Sequence, residues 1–349
     1  MKQGFQIKIF ISAFLGVMIV VLLFGYSKYK STVKNSFTRL FPPHVLTNFN
    51  VVDLKYNSYY IAGVSSKSIF FGNYMAPDNL VIIDQDLRDS QLVVFDVPEE
   101  DKIVWGKIRV MVDYPNVFMC EGVTPVILHT QLPFTKMKKI DMDTLHFDHI
   151  WHPVTNSSLI VRVYDDQKKQ NVLSKINLGQ RQVEGQPGVL EKQIDGKFCT
   201  DGSLMFDNQL KRVVYVYNYR NQFIVTDTNL KVVHRSRTID NTTYAKISLD
   251  TIHSEKRVTF SAPPLMVNKR ACTSDGLLYI NSGLCAQNED AVTFRESSVL
   301  DVYDLSNGNY KYSFYLPKYK DQKLRYLRVA NKKIFLLYEN YLVTYDLSV

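Results

Sequence analysis

The sequence predicts an all-β fold, a six-bladed β-propeller behind a single N-terminal transmembrane helix. The first observation is a repeat: residues 299–305 (VLDVYDL) reappear as residues 342–347 (LVTYDL), so that two Tyr-Asp pairs lie 42 positions apart. A period of that length made only of strands is typical of propellers, whose four-stranded blades take roughly 40–50 residues each. The second observation is that short alternating strands, separated by turn residues, continue from Asn50 onward without an amphipathic helix of ten or more residues.

The strand pattern divides into six blades, with seven blades as the alternative. The blades are expected at residues 60–98, 107–141, 145–194, 196–237, 270–316 and 324–347, with an insertion at about 240–269 before the fifth. The last blade contains only three strands, so a strand from the start of the domain, residues 51–57 (VVDLKYN), is expected to complete it. Pairing of this kind joins the first and last parts of the domain and protects exposed strand edges.

The N-terminal segment predicts a membrane anchor. It begins at Ile9, ends at Gly25, carries no charge and has only Ser12 as a polar side chain. At about 1.5 Å per residue a helix of this length is near the short limit for a bilayer span. A cleaved signal peptide is the alternative, but its apolar region is usually roughly 7–15 residues long and ends in small residues. The predicted organisation is a transmembrane anchor at 1–26 that contacts the lipid bilayer, a juxtamembrane linker at 27–49 and a propeller at 50–349.

The basic charge is concentrated beside this segment. Of 42 Lys and Arg, six lie in residues 1–39, which contain no Asp or Glu, and the other 36 face 34 acidic residues. This distribution favours contact with lipid headgroups and excludes a dedicated nucleic-acid-binding face. A positive-inside count would leave the domain in the cytoplasm. The short basic N-terminus and the N-x-S/T triplets at Asn156 and Asn241 favour export, so a single-pass protein with an extracytoplasmic, periplasmic domain is expected.

One segment is rich in metal-type ligands: His146, Asp148, His149 and His152 (HFDHIWH). The two-residue period of a strand would place His146, Asp148 and His152 on one face, where imidazole and carboxylate groups suit a transition metal. His146 and His152 are roughly 20 Å apart on an extended strand, too far for one ion unless the chain bends. A metal site at the channel and ordinary solvent-facing or hydrogen-bonded histidines both remain open.

The four cysteines are Cys120, Cys199, Cys272 and Cys285. Cys199 (FCTDG) and Cys272 (ACTSDG) are expected at matching positions, just before the turn that ends an innermost strand. In an exported domain a disulfide between these two is one alternative, and small buried thiols are the other. There is no C-x-x-C, so a thioredoxin-like site or a zinc knuckle has no support.

Arg109, Arg325 and Arg328 fall on the expected axial strands. They would give the channel a positively charged mouth for an acidic ligand or partner protein, with solvated strand-end arginines as the alternative. Among catalytic and nucleotide-binding motifs, the sequence has no G-x-S-x-G, no P-loop and no G-x-G-x-x-G, and no cofactor is predicted.

Two further motifs make this chain similar to a known group of propellers. Asp-Gly turns precede apolar strands at 201–206 and 275–280, and strands end in Tyr-Asp-Leu at Leu305 and Leu347. On these motifs residues 50–349 resemble the six-bladed propellers of the TolB and NHL-repeat types, especially membrane-tethered bacterial members. The resemblance implies a module of the cell envelope that binds or scaffolds a protein or small ligand, and no catalytic residue carries over. The alternative function is a lactonase- or oxidoreductase-type propeller enzyme with a metal at the channel mouth.

Overall fold

The computed structural model describes residues 2–30, 34–98, 105–142, 145–148, 150–252, 254 and 257–348. In these residues the fold is all-β apart from two α-helices and one short 3-10 helix at Trp105–Lys107. The helices are α1 (Lys2–Lys30) and α2 (Ala291–Glu296). The strands, from first to last, are β1 (Leu46–Asp53), β2 (Tyr59–Val64), β3 (Ser68–Asn73), β4 (Asn79–Asp84), β5 (Ser90–Val94), β6 (Arg109–Asp113), β7 (Asn116–Glu121), β8 (Val126–Gln131), β9 (Lys138–Ile140), β10 (Trp151–Thr155), β11 (Ser158–Asp165), β12 (Gln170–Asn177), β13 (Gln182–Gln186), β14 (Gly202–Asp207), β15 (Arg212–Tyr217), β16 (Gln222–Thr226), β17 (Val232–Arg237), β18 (Leu249–Ile252), β19 (Arg257–Phe260), β20 (Asn268–Ser274), β21 (Leu277–Ser282), β22 (Ser297–Asp304), β23 (Tyr310–Pro317), β24 (Tyr326–Ala330), β25 (Lys333–Leu337) and β26 (Tyr341–Leu347).

These strands form six four-stranded antiparallel sheets within the described residues, which confirms the predicted six blades. Five sheets are consecutive in the chain: β2–β5, β6–β9, β10–β13, β14–β17 and β20–β23. The first strand of each sheet contacts the first strand of the next, in the cycle β2, β6, β10, β14, β20, β24 and back to β2. The six inner strands therefore close into a ring around a central channel. The predicted insertion before the fifth blade contains the β18–β19 hairpin.

The sixth blade confirms the predicted closure. Its order is β1-β26-β25-β24, and β1 pairs antiparallel with β26 so that Val51 lies opposite Val343. The closing strand begins earlier than predicted and ends at Asp53. It ends there because Lys55 has a positive φ of 67° and donates its N–H to the Asp53 carboxylate, which forms a turn.

The inner strands of blades three and four differ from the predicted positions. Residues 145–148 form a loop instead of a strand, and the inner strand of blade three is β10. Asp148 accepts the N–H of Ile150 at 2.7 Å, which holds the loop in place just before that strand. In blade four the GKFCTDG segment precedes β14, because the Asp195 carboxylate accepts the N–H groups of Lys197 and Phe198 and fixes a turn.

Residues 34–45, which we call the strap, lie along blade five. Phe37 is buried against Val267 and Leu284. The strap joins the blade through backbone hydrogen bonds, from Gln287 N–H to the Phe37 carbonyl and from Ser313 N–H to the Leu40 carbonyl. Part of the segment that the sequence assigns to a linker is therefore packed against the propeller.

The predicted transmembrane segment, residues 9–25, lies within α1. In the described part of the chain, no helix meets both the length and the apolarity needed to cross a membrane.

Candidate functional site

The central channel has two chemically different ends. Because each blade has an even number of antiparallel strands, every inner strand starts at the same end of the channel. We call the end where β6 begins at Arg109 and β24 begins at Tyr326 the basic end. The opposite end, where these strands finish at Asp113 and Ala330, is the cavity end.

Arg109 and Arg325 lie at the basic end of the channel. The Arg109 guanidinium carbon lies 4.3 Å from the centroid of the Tyr74 ring, and its Nη1 donates to the Ile108 carbonyl at 2.6 Å. Arg325 precedes β24 and donates through Nη1 to the Glu339 carbonyl at 2.8 Å. Arg328 lies elsewhere, farther along β24 and facing the cavity end.

Blade five adds two more cations to this end. Arg270 donates through Nε to the backbone carbonyl of Arg325 at 2.7 Å, and Lys269 precedes it in β20. Burial is the main cause that lowers the pKa of Arg270, and the positive charge of Arg325 lowers it further. The pKa of Lys269 is lowered in the same way, mainly by burial and to a smaller extent by the charge of Arg270. Like charges close together produce such shifts.

We call Arg109, Lys269, Arg270 and Arg325 the cation arc. None of the four forms an ion pair with a carboxylate among the described residues. Tyr74 is stacked by Arg109, and its hydroxyl is hydrogen-bonded to that of Tyr326. The arc therefore presents uncompensated positive charge beside an aromatic surface, a combination that suits carboxylates.

The opposite side of the basic end is electrically compensated. Arg162 of β11 donates through Nε to Asp148 at 2.5 Å and through Nη1 to Asp201 at 2.8 Å. Its Nη1 also donates to the Tyr215 hydroxyl. Burial alone would lower the pKa of Arg162, but Tyr215 and the two carboxylates raise it above its ordinary value. This side leaves little free charge for a ligand.

The predicted metal ligands are not brought together. His146 is exposed, with Nδ1 2.9 Å from the Val123 carbonyl. Asp148 is bonded to Arg162, and His152 lies on β10 facing the channel. His149 lies outside the described residues. Among the described side chains no group of three His, Cys, Asp or Glu could hold a metal ion, so the enzyme alternative gains no ligand set here.

The two cysteines predicted at matching positions occupy different places. Cys199 lies in the turn before β14 and accepts the N–H of Gln193, whereas Cys272 lies within β20 and lines the channel. They pack in different apolar clusters, and all four cysteines are buried free thiols. The shift arises because the inner strand of blade four starts later than the sequence pattern indicates.

The cavity end contains a cavity of about 290 Å³ that all six inner strands line. Arg328, His152 and Cys272 lie inside it, and Asp113 and Asp275 lie at its mouth. Sequence reasoning missed Asp113, Lys269 and Arg270. The NKRAC run at the start of β20 was the available signal, because it places two adjacent cations at the start of an inner strand.

Comparison with known proteins supports the fold. No family model matches the chain, and no curated protein matches its sequence. The structure is similar to that of a member of the DUF4221 family from Bacteroides vulgatus, with a TM-score of 0.51 and 11% identity over 90% of this chain and 98% of that one. YCF48 bound to a D1 peptide gives a TM-score of 0.47 at 9% identity, covering 88% and 99% of the two chains. A chain of a nidogen/laminin complex gives 0.43 at 10% identity, covering 74% and 79%.

Proposed function

We propose that this propeller is a binding or scaffolding module of the cell envelope and that it holds an acidic segment of a partner protein at the basic end of its channel. The observation that carries this proposal is the cation arc. Four cations from three blades lie together without a carboxylate partner among the described residues, beside the rings of Tyr74 and Tyr326. Guanidinium groups bind carboxylates through paired hydrogen bonds, and tyrosine rings supply contact area at low entropic cost.

The proposal includes a membrane tether through α1. Apolar side chains along this helix are exposed, with Phe10 at 79% and Phe14 at 70%, and a lipid bilayer would cover them. The strap begins at Lys34, which bridges to Cys285 just beyond the end of β21. Because Ser282 of β21 pairs with Asn268 at the start of β20, the strap starts at the basic end.

This connection sets the expected orientation. The basic end would face the membrane surface, so the acidic segment would belong to a protein at or in the same membrane. We place the domain on the extracytoplasmic side, in line with the resemblance to tethered propellers of the TolB and NHL-repeat types.

The experiment measures binding of a fluorescent ten-residue polyglutamate peptide to the full chain in detergent micelles. The double variant Lys269→Gln/Arg270→Gln should weaken binding about tenfold, equivalent to about 1.4 kcal/mol, since it removes half of the arc. Binding should also weaken with added salt.

The matched control is Lys168→Gln/Lys169→Gln, two adjacent exposed lysines paired with Asp165 and Asp166 on blade three. It removes the same charge and should change affinity less than about twofold. The proposal is wrong if the peptide does not bind, or if both double variants weaken binding equally while melting like the unmodified chain.

A further inference from the structure

The cavity at the opposite end of the channel has the size of a small-ligand site. Its volume is about 290 Å³, near the roughly 300 Å³ at which ligand pockets begin. Residues from all six inner strands line it, so every blade contributes to one enclosed space. Its charged or titratable lining side chains are Arg328, His152, Cys272, Asp113 and Asp275.

Arg328 is a cation with no anionic partner among the residues that the structure describes. It is half-buried on β24, and its hydrogen bond runs from Nη1 to the carbonyl of its own neighbour Leu327, at 3.2 Å. It forms no ion pair with a carboxylate among the described residues. Burial lowers the pKa of Arg328, and Cys272 opposes this shift only in part. A guanidinium has five N–H donors, so most of its binding capacity remains free.

His152 supplies an acceptor in the same cavity. Its Nδ1 lies 2.6 Å from the Pro153 carbonyl, so the proton is assigned to Nδ1 and the neutral ring keeps Nε2 as an acceptor. Burial and then the charge of Arg328 lower the pKa of His152 to about 4. The ring is therefore neutral at physiological pH, and its Nε2 can accept a hydrogen bond from a ligand donor.

The mouth of the cavity carries two carboxylates, and one of them, Asp113, is hydrogen-bonded by Asn208 and lies near the charge of Lys211. Asp113 ends β6, and Asp275 follows β20. Arg328 lies two residues before the end of β24, which places it roughly 7 Å deeper along the channel than the mouth. The cavity thus has the Arg328 cation inside and the two carboxylates at its mouth. The roughly 7 Å between them along the channel is about the length of a small metabolite.

We propose that this cavity binds a small organic anion, with its carboxylate or phosphate group on Arg328 and its hydroxyl or ammonium donors on His152 and Asp113. A simple inorganic anion would satisfy Arg328 alone and leave the acceptors unused. A neutral polyol would leave the cation unpaired. The site lies at the other end of the channel from the cation arc, so it is independent of the function proposed above.

Calorimetric titration of the full chain in micelles tests this site with probes of defined chemistry. D-gluconate and glycerol 3-phosphate each combine an anionic group with hydroxyls, while acetate, inorganic phosphate and sorbitol each lack one part. At least one of the two combined probes should bind about tenfold more tightly than its inorganic or truncated counterpart, and sorbitol should not bind. Binding by gluconate or by glycerol 3-phosphate assigns the anionic group as carboxylate or phosphate.

Arg328→Gln should weaken binding of that probe at least tenfold, and Arg88→Gln, on an exposed turn in blade one, should leave it unchanged. A second measurement uses the unmodified chain: saturating probe should shift the NMR signal of His152 Nε2, because a ligand donor then hydrogen-bonds that nitrogen. The proposal fails if neither combined probe binds at about 10 mM, a concentration that detects even millimolar affinity. It also fails if the Arg328 variant binds as well as the unmodified chain, or if the NMR signal of His152 Nε2 does not shift.

Discussion

Arg39 of the strap is buried and Arg328 of the channel is half-buried, and the two guanidinium groups differ in their partners. The Arg39 side chain is 0% exposed and binds two carboxylates, with Nε 2.7 Å from Asp301 and Nη1 in contact with Glu289. Its Nη1 also donates to the Leu284 carbonyl at 3.0 Å. Arg328 has a hydrogen bond to a neighbouring carbonyl and no carboxylate partner among the described residues.

The pKa shifts of the two groups report this difference. Burial alone would lower the pKa of Arg39, but Asp301 and Glu289 raise it above its ordinary value. Burial lowers the pKa of Arg328, and no carboxylate reverses the effect. A buried charge whose partners are all supplied by the fold is costly to remove, because its partners are then left buried and unpaired, whereas a charge without such partners can still bind a ligand. This comparison separates an arginine that the fold pairs from one that is proposed to bind a ligand.

The largest expected effect is at Arg39. Arg39→Met leaves Asp301 and Glu289 buried without their cation, so the free energy of unfolding should fall by about 3–5 kcal/mol. Urea unfolding followed by circular dichroism measures the change. The control Arg237→Met, on an exposed position of β17, should change it by less than about 0.5 kcal/mol. An Arg39 variant as stable as this control would show that the strap does not hold the propeller.

A smaller effect is expected at Asp148, whose side chain is 32% exposed. Asp148→Asn removes one of the two carboxylates that bind Arg162 and should lower stability by about 1–2 kcal/mol, because Asp201 remains. The control is Asp166→Asn, whose carboxylate is 88% exposed.

Metal analysis of the purified Asp148 variant adds a second readout. If Asp148 acts only through Arg162, the metal content of the variant should equal that of the unmodified chain. Loss of a bound metal without loss of stability would return Asp148 to the role of a metal ligand.

The blade pattern and the closure could be predicted from the sequence because they depend on strand periodicity and on the repeated Tyr-Asp motif. The inner strands of blades three and four could not, because side-chain hydrogen bonds to Asp148 and Asp195 move the strand start by several residues. Such hydrogen bonds depend on side-chain rotamers, and the two-residue periodicity of a strand carries no information about rotamers. For the same reason Cys199 lies in the turn before β14, whereas Cys272 lies within β20.

The candidate site was only partly predictable. Three arginines lie on or beside inner strands, but the strand direction and the depth along the channel divide Arg109 and Arg325 from Arg328, at opposite ends of the channel. Arg270 joins Arg325 through a backbone carbonyl 55 positions away, a contact between blades that local sequence does not encode. Pairing partners such as Asp201 for Arg162 are equally remote, so the sequence alone could not tell compensated from uncompensated cations.

The smallest expected effect is at Arg328. The comparison with Arg39 predicts that removing the Arg328 charge leaves the free energy of unfolding unchanged or raises it slightly. Arg328→Gln removes a charge that the fold does not pair, so stability at pH 7 should stay within about 0.5 kcal/mol of the unmodified chain or rise. Urea unfolding under the conditions used for Arg39 measures it. A loss comparable to that of Arg39→Met would show that Arg328 is paired in a way that makes it structural.

The pH dependence of the same variant sharpens this point. The pKa of His152 is lowered from 6.5 to about 4 in the folded chain, so the unfolded state takes up its proton first as the pH falls. The contribution of His152 to stability is therefore complete above pH 6.5 and declines as the pH falls towards 4, with a slope of at most about 1.4 kcal/mol per pH unit.

In Arg328→Gln the pKa of His152 should rise, because burial still lowers it but the neighbouring charge is gone. The decline between pH 6.5 and 4 should then be shallower than in the unmodified chain, and His152→Asn should remove this component entirely. An equal slope in the unmodified chain and in Arg328→Gln would mean that the Arg328 charge does not reach His152 inside the cavity.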